Sequence, residues 1–277
     1  MYSRYPIICF IFLGLLLVVS GLPRNLETLS NLHKTNDARN FIVGGRKAAE
    51  GQFPYLVSLR TPWGAHFCGG AIINDRWILS AAHCTFFFDI PEIIAGSVRS
   101  DAGGERYAIK RIVNHENFDF NRDPFTDDIC LLQTNQTIQF NDLIQSIPLS
   151  RNRIFRSSRG VIAGWGWNEG GLHLDPENFF PVVSEDLNYI EVSVLSHIEC
   201  TSRLWLFAMY LQVNHVCTFA GRGAGVCTFD SGSPVVVDGE VVGIAAIVLP
   251  CATGIPDWGP RVSSYTRWID ANLRNFS

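Results

Sequence analysis

Apolar residues fall in short runs along this chain, separated by turn-forming positions. Phe53–Leu59, Phe67–Ile73 and Trp77–Cys84 each have strand length, and Asn74-Asp75 marks a turn between the last two. Ile129–Leu132, Val161–Trp167 and Val235–Val237 continue the pattern farther on. No sustained helical period intervenes until Ser264. There Tyr265, Trp268, Ile269 and Leu273 fall on one helical face, which predicts a helix over about 264–273. Between Leu149 and Gly160 the chain is basic and irregular, from Arg151-Asn152-Arg153 to Ser157-Ser158-Arg159, and reads as a crossing between two halves. The pattern therefore predicts an all-β chain in two halves with one terminal helix.

One apolar run is different in kind. Ile7 to Val19 follows Arg4, is interrupted only by Gly14, and ends at the small residues Ser20-Gly21. Residues 1–21 read as a secretory signal peptide, because the run is well short of the roughly 20 residues that span a bilayer. Residues 22–41 are polar and mixed without a period, as in a propeptide. The 277-residue composition, 47% hydrophobic and 17% charged, is that of a globular protein with a large core and excludes disorder. A net charge of −4 without a long basic run argues against a nucleic-acid surface or a polybasic membrane patch. Secretion permits disulfides. Cys9 leaves with the signal, and the seven remaining cysteines are an odd set, so one thiol stays unpaired or pairs between chains. Asn135-Gln136-Thr137 and Asn275-Phe276-Ser277 are glycosylation sequons, the second at the C-terminal end.

The candidate chemistry centres on Gly225-Val226-Cys227-Thr228-Phe229-Asp230-Ser231-Gly232-Ser233-Pro234. Alone this is a turn rich in Asp, Ser and Gly leading into a strand. A serine in it becomes a nucleophile only if a base takes its proton and donors hold an oxyanion. Leu79-Ser80-Ala81-Ala82-His83-Cys84 supplies a histidine, and Asp127-Asp128-Ile129 places an acid ahead of an apolar run. With Ile42-Val43-Gly44-Gly45 and Gly164-Trp165-Gly166, these segments resemble the trypsin/chymotrypsin-like serine proteases, in the order His, Asp, Ser. Invertebrate chymotrypsin-like and elastase-like members are the nearest in kind.

The resemblance covers about Ile42 to the C-terminus. It implies two six-stranded antiparallel β-barrels packed together, about 42–150 and 151–262, followed by the helix. It also implies disulfides Cys68–Cys84, Cys200–Cys217 and Cys227–Cys251, leaving Cys130 as a buried free thiol. The implied roles are general base for His83, orienting acid for Asp128, nucleophile for Ser231, and oxyanion donors for the N–H groups of Phe229 and Ser231. Gly225, Val248 and Asp257 would line the substrate pocket, with no aspartate on its floor; Asp257 either enters from the opposite wall or is a solvated loop acid after Pro256. Processing before Ile42 would free an amine to pair with Asp230. The expected partners are protein or peptide substrates, protein inhibitors and an activating protease. No metal or cofactor is expected, and a secreted monomer is.

Several residues depart from the family pattern. Phe229 and Ser233 stand where glycines are usual, and Ala246 lacks a hydroxyl that would support Asp128. Phe229 leaves two outcomes open: the turn keeps its orientation with the ring over the leaving-group side, or the oxyanion hole is distorted. Phe41, not a basic residue, precedes Ile42, so processing is expected after Phe41 directly or after Arg39 with trimming. The runner-up function is a protein-binding homologue with weak catalysis. A non-peptidic esterase would use the same triad, but the chain lacks a Gly-x-Ser-x-Gly elbow.

Overall fold

The computed structural model describes residues 42–123, 125–167, 183–248 and 251–276. Strand β1 (Arg46–Lys47) is followed by β2 (Leu56–Arg60), β3 (His66–Ile72), β4 (Trp77–Ser80) and a single helical turn, α1 (Cys84–Phe87). Then come β5 (Glu92–Ala95), β6 (Glu105–Asn114) and β7 (Cys130–Thr134). Strands β2-β3-β4-β7-β6-β5 close into an antiparallel barrel. Every residue of β2, β3, β4 and β7 is buried, so both faces of these strands are covered. That is why they read as continuous apolar runs. Strand β6 keeps most of its residues partly or fully exposed.

The second half contains β8 (Ser158–Gly164), β9 (Asn188–Leu195), the helix α2 (His197–Leu204), β10 (His215–Phe219), β11 (Pro234–Val237), β12 (Glu240–Ile244) and β13 (Asp257–Pro260). Its strands run in the order β12-β11-β8-β9-β10-β13. Bridges from Gly243 to Arg261 and from Ile247 to Trp258 bring the end strands together, giving the second six-stranded barrel. Along β9 the side chains of Asn188, Ile190, Val192 and Val194 are buried, while Glu191 and Ser193 face solvent, the period-two pattern of a strand with one face inward.

Two ends of the chain cross between the halves. Strand β1 pairs with β9, and Ile42 is wholly buried in the second core with Ile162, Ile190 and Val226. The expected first half, 42–150, thus gives up its leading residues to the other barrel. Conversely, α3 (Thr266–Asn275) packs Tyr265 and Ile269 into the first core. The helix starts two residues later than its apolar face suggested, because Val262–Ser264 form a tight 3-10 turn.

The expectation of a single helix also needs correcting. Helix α2 and the 3-10 turn Trp205–Tyr210 lie between β9 and β10. Only Cys200 and Leu204 of α2 are buried, one turn apart, which is too little apolar periodicity to register. The readable signal was polar: Ser196 caps α2 by accepting from the N–H of Glu199, and Ser-x-x-Glu is a helix-start pattern. Three disulfides join Cys68 to Cys84, Cys200 to Cys217 and Cys227 to Cys251, and Cys130 is the free, buried cysteine among the described residues.

Candidate active site

The turn after β4 carries His83, and the segment entering β7 carries Asp128. Strand β4 pairs with β7, with Ser80 opposite Cys130, so the two side chains leave the same edge of the first barrel. Asp128 is almost fully buried and spends both oxygens on one partner. Oδ1 accepts the His83 backbone N–H at 2.7 Å and Oδ2 accepts from His83 Nδ1 at 2.6 Å. A carboxylate can only accept, so Nδ1 carries the proton and Nε2 is left as a proton acceptor. Burial alone would lower the His83 pKa, but the charge and hydrogen bond of Asp128 override it and the net shift is upward.

Asp127, to which the sequence assigns no role, anchors the segment that carries Asp128. It sits at φ +52 and accepts hydrogen bonds from Tyr265 Oη at 2.8 Å, Asn214 Nδ2 at 3.0 Å and Asn117 Nδ2 at 3.2 Å. Two of these donors come from the second half of the chain. The paired acids Asp127-Asp128 were the only sequence trace of this anchor. Ala246 supplies no hydroxyl, and among the described residues no side chain other than His83 bonds to the Asp128 carboxylate.

Ser231 lies in the turn before β11, held from behind by the Gly69 N–H, which donates to its carbonyl at 2.7 Å. Neighbouring N–H groups are engaged: Asp230 donates to Cys227 O, Gly232 to Ala245 O and Ser233 to Asp230 O. The N–H groups of Phe229 and Ser231 have no acceptor among the described residues. Phe229 holds φ +76, a conformation open to glycine but strained for a residue with a side chain, and its ring packs against the first core. Both carbonyls flanking it are tied, Thr228 O to the Trp167 N–H at 2.9 Å and Phe229 O to His66 Nε2 at 3.2 Å. His66 Nδ1 in turn pairs with Ser58 Oγ at 2.7 Å. Burial, aided by Arg60, lowers the His66 pKa to about 3, so the ring is neutral and Nε2–H can donate to Phe229. No hydrogen bond joins Ser231 Oγ to His83 Nε2 in this structure; catalytic hydrogen bonds are often long before substrate is bound.

The proposed pocket residues come together in part. A Cβ placed on Gly225 would lie 3.6 Å from Asp257 Oδ2, so acid and glycine share one site. Burial, followed by the charge of Asp230, pushes the Asp257 pKa well up. Val248 packs half-buried against the second core, while Ile247 pairs with Trp258 through backbone bonds of 2.8 and 3.1 Å. Asp230 is fully buried and accepts from the N–H groups of Gly166 at 2.8 Å and Cys227 at 2.9 Å. It has no cationic partner among the described residues, and burial raises its pKa to about 7 against those two donors. Ser233 buries its hydroxyl without a partner among the described residues. Cys68, His83 and Cys84 are close enough to suggest a metal site, but the two sulfurs are bonded to each other and offer no thiolates.

A family model for trypsin matches residues 42–269. The chain is 32% identical over 234 residues to chymotrypsin-2 of Vespa crabro, covering 83% of this chain and 99% of that one. A serine protease of Anopheles gambiae is also 32% identical, over 85% of this chain and 82% of its own. Trypsin delta of Drosophila melanogaster is 28% identical, with 83% and 88% covered. Among solved structures, human heparin binding protein superposes with a TM-score of 0.70 at 28% identity, over 85% of this chain and 98% of that chain. With its two barrels, its three disulfides and a family match over most of its length, the chain belongs to the trypsin family of serine proteases.

Proposed function

We propose that residues 42–277 form a serine endopeptidase that cleaves peptide bonds through an acyl-enzyme. His83 Nε2 takes the proton of Ser231 as its oxygen attacks the carbonyl carbon, then returns that proton to the leaving amine. Water enters and is activated the same way to release the acid. Asp128 holds the tautomer and stabilises the imidazolium. The observation that carries this reading is the alternation at 229–231. Among the described residues the N–H groups of Phe229 and Ser231 lack acceptors while those of Asp230, Gly232 and Ser233 are engaged, an arrangement suited to an oxyanion.

The acyl-side preference follows from Gly225, Asp257 and Val248. Without an acid on the floor, and with the Asp257 charge disfavoured by burial, small to medium apolar side chains fit best before the scissile bond. Hydrolysis of a peptide series with Ala, Val, Leu, Phe, Lys or Arg at that position tests this. Preference for Lys or Arg, abolished by Asp257→Ala, would reverse the assignment. The strain at Phe229 and the unmade Ser231–His83 bond favour a second reading, a partner-binding homologue with weak turnover.

The precursor would be secreted through residues 1–21 and kept inactive by 22–41, with the amine freed at Ile42 then meeting Asp230. Asn135 and Asn275 are both exposed, which suits glycan attachment. A monomer acting on protein substrates, open to protein inhibitors and an activating protease, completes the reading; it uses no cofactor.

A further inference from the structure

Ser233 stands where a glycine is usual, and the proposed mechanism makes no use of its side chain. The residue is wholly buried, and its hydroxyl has no partner among the described residues. Its backbone is fixed at both ends: the N–H donates to Asp230 O at 3.1 Å, and the carbonyl accepts from the Ala245 N–H at 2.9 Å. The side chain enters a slot between the two barrels whose walls are glycines. A Cβ on Gly69 of β3 would clash with Ser233 Oγ. A Cβ on Gly164, the last residue of β8, would clash with Asp230 Oδ1 and lie 3.3 Å from Ser233 Oγ, so the hydroxyl and the carboxylate border the same slot. The Ser80 hydroxyl, in contrast, is spent on Gly69 O at 2.8 Å.

Asp230 uses one lone pair on each oxygen, for the N–H groups of Gly166 and Cys227, and carboxylate oxygens can accept more. A buried hydroxyl with nothing to bond costs free energy, and so does a buried carboxylate without enough donors. With the Ser233 backbone held, rotation about χ1 is the motion that aims the hydroxyl at Asp230. A hydroxyl both donates and accepts, so it serves Asp230 whether ionised or protonated. In the uncut chain the Ile42 nitrogen lies in a peptide bond, yet the N–H groups of Phe229 and Ser231 already stand free of acceptors among the described residues. Gly69, His66 and Trp167 tie carbonyls of that turn, but at Asp230 no cation does so among the described residues. We propose that Ser233 is a positioning residue for the 229–231 turn, its hydroxyl bonding Asp230 Oδ1 in the uncut chain, where the ammonium of Ile42 does not yet exist. The precursor then keeps a fraction of the reactivity of Ser231. The assignment rests on the endopeptidase reading and limits how far the uncut chain is switched off.

The test compares rates of fluorophosphonate labelling at Ser231 in uncut and processed protein. Arg39→Gln with Phe41→Pro keeps the chain uncut, which its mass confirms. With Ser233 in place the uncut chain should be labelled at a measurable rate. Ser233→Ala and Ser233→Gly should each lower that rate by about 10-fold or more, the scale of one hydrogen bond to a charged acceptor. Processed forms of the same two variants, with the Ile42 ammonium on Asp230, should slow far less. Lost packing alone would slow both forms alike, so equal slowing overturns the assignment. An uncut chain whose labelling neither substitution changes also overturns it, as does one that is not labelled at all while processed protein is. Failure of processed protein with Ser233 intact to be labelled overturns the endopeptidase reading, and the assignment with it.

Discussion

Phe229 is where chemistry and backbone strain meet. A left-handed φ costs a residue with a Cβ roughly 1–2 kcal/mol relative to glycine, and the Phe229 ring packs against the first core, so Phe229→Gly should relieve the strain and lose that packing, leaving a net change in urea unfolding smaller than the strain alone. It should also tighten binding of bulky protein inhibitors by removing the ring, and unchanged inhibition constants would count against the ring limiting access. His83 makes a prediction about pH. Its pKa is raised from the usual 6.5 by Asp128 despite burial, and the proposed catalysis needs the neutral ring. The acid limb of kcat/KM should therefore lie above pH 6.5, with activity rising as His83 loses its proton. Asp128→Asn should lower kcat by about 10⁴-fold, as loss of the orienting acid does in such triads. Cys130 is buried, with its pKa pushed well up by burial and by Asp128. It should resist alkylation in the folded protein and react once the chain is unfolded without reductant.

At the scale of elements, what was legible follows from how function constrains local sequence. His83, Asp128 and Ser231 stand in short segments whose neighbours must build a barrel edge, a strand start and a tight turn, so each segment carries its own signature. Helix α2 is not legible in the apolar pattern because it buries only Cys200 and Leu204, and its start is marked by Ser196 and Glu199, not by an apolar face. The anchor of Asp127 has no local signature because Asn214 and Tyr265 lie 87 and 138 residues farther along the chain. Likewise the pairing of β1 with β9 depends on long-range closure, not on the two residues of β1. Tyr265→Phe removes a donor to Asp127 without changing the apolar packing of the ring. It should lower kcat more than it changes KM, and move the acid limb of the pH profile if Asp127 positions Asp128. An unchanged profile would mean the hydroxyl serves stability alone.

For the whole molecule, the central question is how the buried N-terminal edge governs the site. In this chain Ile42 follows Phe41, so its nitrogen is an amide, and among the described residues Asp230 has only backbone donors. Its folded pKa of about 7 lies above the usual 3.8, so between these values the folded state binds more protons than the unfolded one. Stability of the precursor should therefore be greatest at low pH, as far as Asp230 is concerned, and decline as pH rises through about 7. An ammonium group at Ile42 would lower that pKa and remove the decline, which urea titrations of precursor and processed protein across this range can compare. N-terminal sequencing of the secreted form should begin at Ile42, and any other start would contradict the proposed activation. The most direct measurement for the account as a whole is mass-spectrometric mapping of the processed protein after reaction with a fluorophosphonate. The account predicts stoichiometric modification of Ser231, lost in His83→Ala; no modification of Ser231 in correctly processed protein would contradict it.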